Sequence, residues 1–420
     1  MDLLNIDYEK YTLNNGLNVI LYQKKDLPLV AVNIWYKVGS ANEIKGKSGI
    51  AHLFEHMMFQ GSKHVPKEKH FKFIQEAGGT LNASTSFDRT NYYEKLPSNY
   101  LELALWLESD RMGFFLPALD KIKLENQREV VSNERLQRYD NQPYGLAWET
   151  IITNLFPQNH PYSWPTIGFM DDIKSYTLND ISNFFKSYYS PSNASLVIAG
   201  DFEFDKAKEL LEKYFSEINK TDTKQTLSFK NFKLKENILI NRKEKVQLER
   251  IYLVWPTNKI FSQDDAKIDI LGDILAGSKT ARLNEQLVHK LEIAQDIQAF
   301  QISGNFGGAF LISATVKPNI NPEKVKSEIF KGINKFVAKG PTEKELLKSK
   351  NQIKSQFIYS LQNIDTMADQ LNNYNFYLDE PNSFSFVLNR YSSVSEKGLL
   401  NIAQKYLHNN HLELRISPEK

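Results

Sequence analysis

"GIAHLFEHMMFQGS", residues 49–62, sets two histidines four positions apart with a glutamate directly before the second. Positions i, i+3 and i+4 of an α-helix share one face, so His52, Glu55 and His56 project together from a helix here. Two imidazoles placed in this way reach one zinc ion at about 2.0–2.1 Å. Glu55, beside such a metal, is placed to take a proton from zinc-bound water and hand it to a leaving amine. The bland alternative is a buried amphipathic helix, because Ile50, Ala51, Leu53, Phe54, Met57 and Met58 make the stretch apolar nearly all round. Leaving imidazoles and a carboxylate without partners in such surroundings costs about several kcal/mol, a cost that a shared metal removes.

The rest of the composition narrows the chemistry. The 420 residues carry 52 basic and 50 acidic side chains and no cysteine. At about 100–200 residues per domain the length implies two domains or more. A near-zero net charge offers no footprint for nucleic acid or for a polybasic membrane contact. Without cysteine there are no disulfides, no thiolate nucleophile and no thiolate zinc ligand, so a metal must be held by imidazole and carboxylate. No apolar run approaches the about 18–20 residues of a membrane span. The start, "MDLLNIDYEKYTLNNGL", does not read as a signal peptide, which implies a cytoplasmic location, or a periplasmic one where a leader has been removed.

Outward from the motif the chain reads as two α+β halves. "GLNVILYQ" (16–23) and "LVAVNIWYKVG" (29–39) alternate like strands around "KKDLP". Helices are expected at 48–60, 67–77, 98–112 and 118–139, with a strand pair in "TLNASTS" and "RTNYYEKL". The polar, lysine-rich stretch 219–237 suits a linker, set at 221–237 between domains 1–220 and 238–420. After it the order of elements begins again, and 310–336 echoes 195–218 in order and spacing, as a divergent duplication would. "GNFGG" (304–308) reads as a turn between strands rather than a phosphate loop, because no helix follows it. A third metal ligand is available on the 118–139 helix from Glu125, Glu129 or Glu134, and spacing alone does not choose among them.

The order H-x-x-E-H is that of the inverted zinc peptidases. With "NNGLNVIL", "VGSANE", "GGTLNASTSFDRTNYYEKLP", "ENQREVVSNERLQRYDNQPYG" and "YYSPSNASLVIAGDF", the first two hundred residues resemble the pitrilysin/insulinase family, in its small-subunit branch. The second half resembles it more loosely. The resemblance implies two homologous domains, each a largely antiparallel sheet with helices packed on one side, together half of a peptidase clamshell. It implies one zinc per chain held by His52, His56 and, through the phrase "VVxNE", Glu134, with Glu55 as the general base. Glu125 and Glu129 then read as solvated helix charges, and Gln127 stands where mitochondrial members carry a glutamate.

"LNASTSFDRTNYY" is similar to the family's edge strand, which pairs with an extended peptide substrate, so Asn82, Ala83 and Ser84 are the expected substrate-binding positions. Catalytic members usually supply from the second half an arginine and a tyrosine that stabilise the developing oxyanion. Here those positions hold Val288 and Gln295, while Arg282 belongs to a phrase that reads as structural. The expectation is a zinc endopeptidase acting as the metal-bearing subunit of a heterodimer, with a homologous partner that brings the missing pair; a homodimer, which would lack that pair, is the alternative assembly. The contrasting expectation is a weak or inactive zinc-binding core subunit of a larger complex.

Overall fold

A computed structural model describes residues 6–221 and 228–419. The first half runs β1 (Glu9–Thr12), β2 (Asn18–Gln23), β3 (Leu29–Tyr36), α1 (Ile50–Met57), α2 (Lys69–Glu76), β4 (Thr80–Thr85), β5 (Thr90–Pro97), α3 (Leu101–Phe114), α4 (Lys121–Arg135), α5 (Ala147–Leu155), α6 (Met170–Ser175), α7 (Leu178–Tyr188), β6 (Ala194–Gly200) and α8 (Phe204–Phe215). The second runs β7 (Ile238–Glu244), β8 (Arg250–Thr257), α9 (Asp265–Ala276), β9 (Ala294–Gly304), β10 (Gly307–Val316), α10 (Pro322–Lys339), α11 (Glu343–Ser360), α12 (Ile364–Leu378), α13 (Phe384–Ser392), α14 (Glu396–Leu407) and β11 (Leu412–Pro418). Short π-helical turns follow α4 at Leu136–Asp140 and precede β9 at Asn284–Lys290.

Two sheets form, ordered β1-β2-β6-β3-β5-β4 and β7-β11-β8-β10-β9. In the first only β2 and β6 pair in parallel; in the second only β7 and β11 do. The second sheet therefore repeats the last five positions of the first in order and direction, the signature of the expected duplication. The echo read between 195–218 and 310–336 does not mark equivalent places, however. It sets β6 against β10, whereas sheet order makes β11 the counterpart of β6 and β5 that of β10. A strand followed by an amphipathic helix has the same periodicity wherever it occurs in a sheet, so the pattern could not tell these positions apart.

The α+β architecture is as expected, with one addition to each sheet. Strand residues alternate between faces. Val32, Ile34 and Tyr36 of β3 are buried on the face that carries α1 and α3, while Asn33 and Trp35 point the other way. There α12 docks through hydrogen bonds: Trp35 Nε1, Asn91 Nδ2 and Asn33 Nδ2 donate to Asp369 Oδ1 at 2.9, 3.0 and 3.3 Å, and Asn372 Nδ2 donates to Asn33 O at 2.9 Å. In the second sheet Ile251, Leu253 and Trp255 of β8 join an apolar core with α9, α10 and α14.

The compact units interleave along the chain. One comprises the described residues up to 135 with 164–221 and 358–385; the other comprises 136–163, 228–357 and 386–419. The strands divide near the boundary expected at 220–238, but α5 belongs with the second sheet and α12 with the first. Part of the expected linker, residues 222–227, lies outside the described residues.

In the first unit, Gly49 and Gly168 meet back to back in the left-handed region, each at φ 86°. A Cβ on Gly49 would lie 2.7 Å from both Gly168 Cα and Ile167 O. Gly49→Ala combines a strained φ with a backbone clash at the entry to α1, and is expected to lower unfolding free energy by about 2–4 kcal/mol in urea titrations.

Candidate metal centre

Helix α1 buries Ile50, Ala51, Leu53, Phe54 and Met57. The Phe54 ring sits within 4.3–6.1 Å of the rings of Tyr189, Phe115, Phe184 and Phe185, which fixes the helix's rotation about its axis. The opposite edge turns His52, Glu55 and His56 toward α4. Orphan N–H groups at a buried helix start need acceptors. Glu43, 7% exposed, supplies them: Gly49 N–H and Ala51 N–H each donate to its carboxylate at 2.9 Å. Burial pushes the Glu43 carboxyl well above the usual range, while these two N–H groups pull the other way.

Glu134, in the last turn of α4, comes to the two histidines. His56 Nε2 lies 3.3 Å and His52 Nε2 3.8 Å from its Oε2, and one ligand atom from each of the three residues falls within 4.8 Å of the others. Tetrahedral zinc with bonds of about 2.0–2.1 Å separates its ligand atoms by about 3.3–3.4 Å, so this triangle is nearly at coordination spacing. Two neutral imidazoles and one carboxylate form the donor set of a catalytic zinc site that keeps a position open. The three side chains are 13%, 23% and 17% exposed, enough to leave that position reachable. Glu125 instead pairs with Lys121 at 3.6 Å and Arg128 at 4.0 Å, and Glu129 is exposed. Gln127 is buried two turns before Glu134 and donates to Asn126 Oδ1 at 3.0 Å.

Glu55 stands on the same helical turn as the histidines. Thr85 Oγ1, at the end of β4, donates to its Oε2 at 2.5 Å. Burial pushes the Glu55 carboxyl up and Glu134 adds to that push, whereas the Thr85 hydrogen bond and His56 lower it. Nothing in local spacing marks either Glu43 or Thr85, since both act across gaps in the chain. The only trace of Glu43 in the sequence is its place at the end of "VGSANE".

Strand β4 is the sheet's edge and pairs only with β5. Asn82 and Ser84 alternate with Leu81, Ala83 and Thr85 between its two faces, so only Ala83 of the three expected substrate positions shares the face of Thr85. The Ala83 N–H donates to Asn82 Oδ1 at 2.9 Å. Arg89 Nη1 donates to Ser84 O at 2.8 Å and to Ser84 Oγ at 2.6 Å, with its guanidinium 4.9 Å from the centre of the Trp35 ring. In the second unit Val288 packs against the apolar core and Gln295 is exposed on β9.

Among the described residues His70, Glu94 and Glu108 form a second set with metal-like spacing. Arg111 occupies its centre: it pairs with Glu108, stands 3.7 Å from Glu94 and lies over the Tyr92 ring at 4.2 Å. A guanidinium supplies the positive charge there, which makes the set an internal ion-pair network. No helix among the described residues is long and apolar enough to cross a membrane.

Comparison with known proteins adds relatives to this geometry. Residues 18–168 match the family model described as Insulinase (Peptidase family M16), and residues 175–353 match the one described as Peptidase M16 inactive domain. The chain is 33% identical over 365 residues to the zinc protease PqqE of Helicobacter pylori, covering 86% of this chain and 82% of that protein. It is 22% identical over 419 residues to a probable mitochondrial-processing peptidase subunit beta of Arabidopsis thaliana, covering 96% and 77%. The crystal structure of a protease from Helicobacter pylori superposes with a TM-score of 0.92 at 30% identity, over 98% of this chain and all of that one.

Removing the Glu43 carboxylate leaves two buried N–H groups at the head of the helix that carries His52 and His56. Glu43→Ala is expected to cost about 2–4 kcal/mol in chemical unfolding, with Glu43→Gln intermediate.

Proposed function

The chain belongs to the insulinase family of peptidases, and on that premise we propose that it is a zinc-dependent endopeptidase acting on peptides or unfolded polypeptides. The observation that carries this reading is the His52–His56–Glu134 triangle with Glu55 on the same turn. His52, His56 and Glu134 would hold one zinc ion per chain, which when bound would supply Lewis acidity toward the scissile carbonyl and toward water. Glu55, held by Thr85, accepts a proton from the attacking water and delivers it to the leaving amine. An extended substrate lies along the free edge of β4 beside Asn82, Ala83 and Ser84, with Ala83 turning its backbone groups to it while the backbone of the other two pairs with β5. Pairing there exchanges the Ala83 N–H from the Asn82 side chain to a substrate carbonyl.

The chain is, in this reading, the metal-bearing subunit of a two-subunit enzyme. Val288 and Gln295 supply no cationic or phenolic donor for a developing oxyanion, so that help comes from a homologous subunit carrying an arginine and a tyrosine. The word "subunit" in the name of the plant relative is in keeping with this. The same two residues, with the match of 175–353 to an inactive-domain model, favour a second reading, a zinc-binding core subunit without turnover.

Two measurements separate these readings. Glu55→Gln is expected to retain zinc and to lose about 10²–10⁴-fold in peptide turnover; full activity in that variant would remove Glu55 as the base. Mixing the purified chain with a homologue that carries the arginine and tyrosine is expected to raise turnover at least about tenfold. Equal rates for the chain alone and mixed would eliminate the two-subunit reading, and zinc binding with no turnover in either sample would favour the core subunit.

A further inference from the structure

Thr85 is the last residue of the edge strand β4, and its hydroxyl reaches the carboxylate of Glu55 on α1. The direction of that bond follows from the acceptor, since an ionised carboxylate has no hydrogen to give. Thr90, opposite Thr85 in the strand register, donates its hydroxyl hydrogen to Val38 O at 2.9 Å. Its Oγ1 lies 3.5 Å from Thr85 Oγ1, against 2.5 Å for Glu55 Oε2, so the shorter contact takes the Thr85 hydrogen. A hydroxyl has one hydrogen, and Thr85 spends its own on Glu55 Oε2. Oε2 is thus held as an acceptor, and Oε1 is the oxygen left to bind a proton.

We propose that Thr85 is a positioning residue that fixes the plane of the Glu55 carboxylate and so the place of its free oxygen. The proton leaves the attacking water for Oε1 and goes from Oε1 to the amine nitrogen, while Oε2 stays hydrogen-bonded to Thr85 throughout. Because the hydroxyl is carried by the strand along which substrate extends, the placement of that strand and the orientation of the base are set together. A carboxylate free to rotate about its Cγ–Cδ bond turns its plane away from the attacking water part of the time, and that loss falls on the chemical step rather than on binding. The inference rests on Glu55 being the base.

Zinc content, kcat and KM on a fluorogenic peptide test it in the full chain, with the partner homologue added where the chain alone is slow. The set is wild type, Thr85→Val, Thr85→Ser, Glu55→Gln and the Thr85→Val/Glu55→Gln double variant. Thr85→Val removes the hydroxyl at constant shape and is expected to keep the wild-type zinc content and a KM within about twofold, while kcat falls about 10–100-fold. Thr85→Ser restores the donor and should return kcat to within about threefold, and Thr85→Val should have no further effect once Glu55 is Gln. A kcat for Thr85→Val within about twofold of wild type, an equal fall in Thr85→Ser, or loss of zinc from Thr85→Val would each overturn the proposal. Full activity in zinc-loaded Glu55→Gln would instead remove the base assignment itself. An inactive Glu55→Gln beside a wild-type-like Thr85→Val would leave that assignment standing and defeat only the role of Thr85.

Discussion

Every polar group on helix α1 has to be answered from elsewhere in the chain, because five of its eight residues are buried apolar side chains. In such surroundings an unpaired donor or charge costs several times what a satisfied one contributes. The answers come from three distant segments. Glu43 takes the first N–H groups, Thr85 holds Glu55, and Glu134 faces both imidazoles. The packing of Phe54 among four aromatic rings turns the helix so that all three answers can be given at once. A carboxylate already near coordination spacing from two imidazoles needs little rearrangement to bind a metal, which is the practical meaning of preorganisation in a site.

The counterpart of α1 in the second unit is α9, since β3 precedes one and β8 the other at the same place in each sheet. It meets the same constraint without a metal. Asp265 accepts from Gln301 at 2.6 Å, Arg390 at 2.7 Å, Phe261 N–H at 2.9 Å and Ser303 at 3.0 Å. Asp269 accepts from Tyr391 at 2.7 Å, and burial pushes its carboxyl up to about 7. Two copies of one architecture have thus resolved buried polarity differently, one with a triangle of groups that could hold a metal and one with an internal hydrogen-bond network.

Each unit also borrows a helix from the other stretch of chain. Helix α12 lies on the polar face of the first sheet, where Asn33, Trp35 and Asn91 converge on Asp369, and α5 belongs to the second unit although it follows α4 in sequence. On α12 the hydrogen bonds to the Asp369 carboxylate, each worth about 1.5–3 kcal/mol net, stand beside buried Met367, Ala368, Leu371 and Tyr374, and α5 buries Ile151, Ile152 and Leu155. The apolar pattern of each helix says that it packs on a sheet and not on which one, which is why a division into contiguous halves does not place them.

The local alphabet of the site was legible in the sequence. His52, Glu55 and His56 share a face because a helix has 3.6 residues per turn, and strand and helix periods marked most of the elements around them. The resemblance singled out Glu134, which spacing left level with Glu125 and Glu129. Tertiary structure decided what depends on distance through space. It brought Glu134 to the imidazoles, sent Glu125 to a surface ion pair, gave Glu43 and Thr85 their hydrogen bonds, and put Asn82 and Ser84 on the face away from Thr85. The reason is range: periodicity reports contacts a few residues apart, whereas a buried polar group is satisfied by whichever segment the packed core brings within about 3 Å of it.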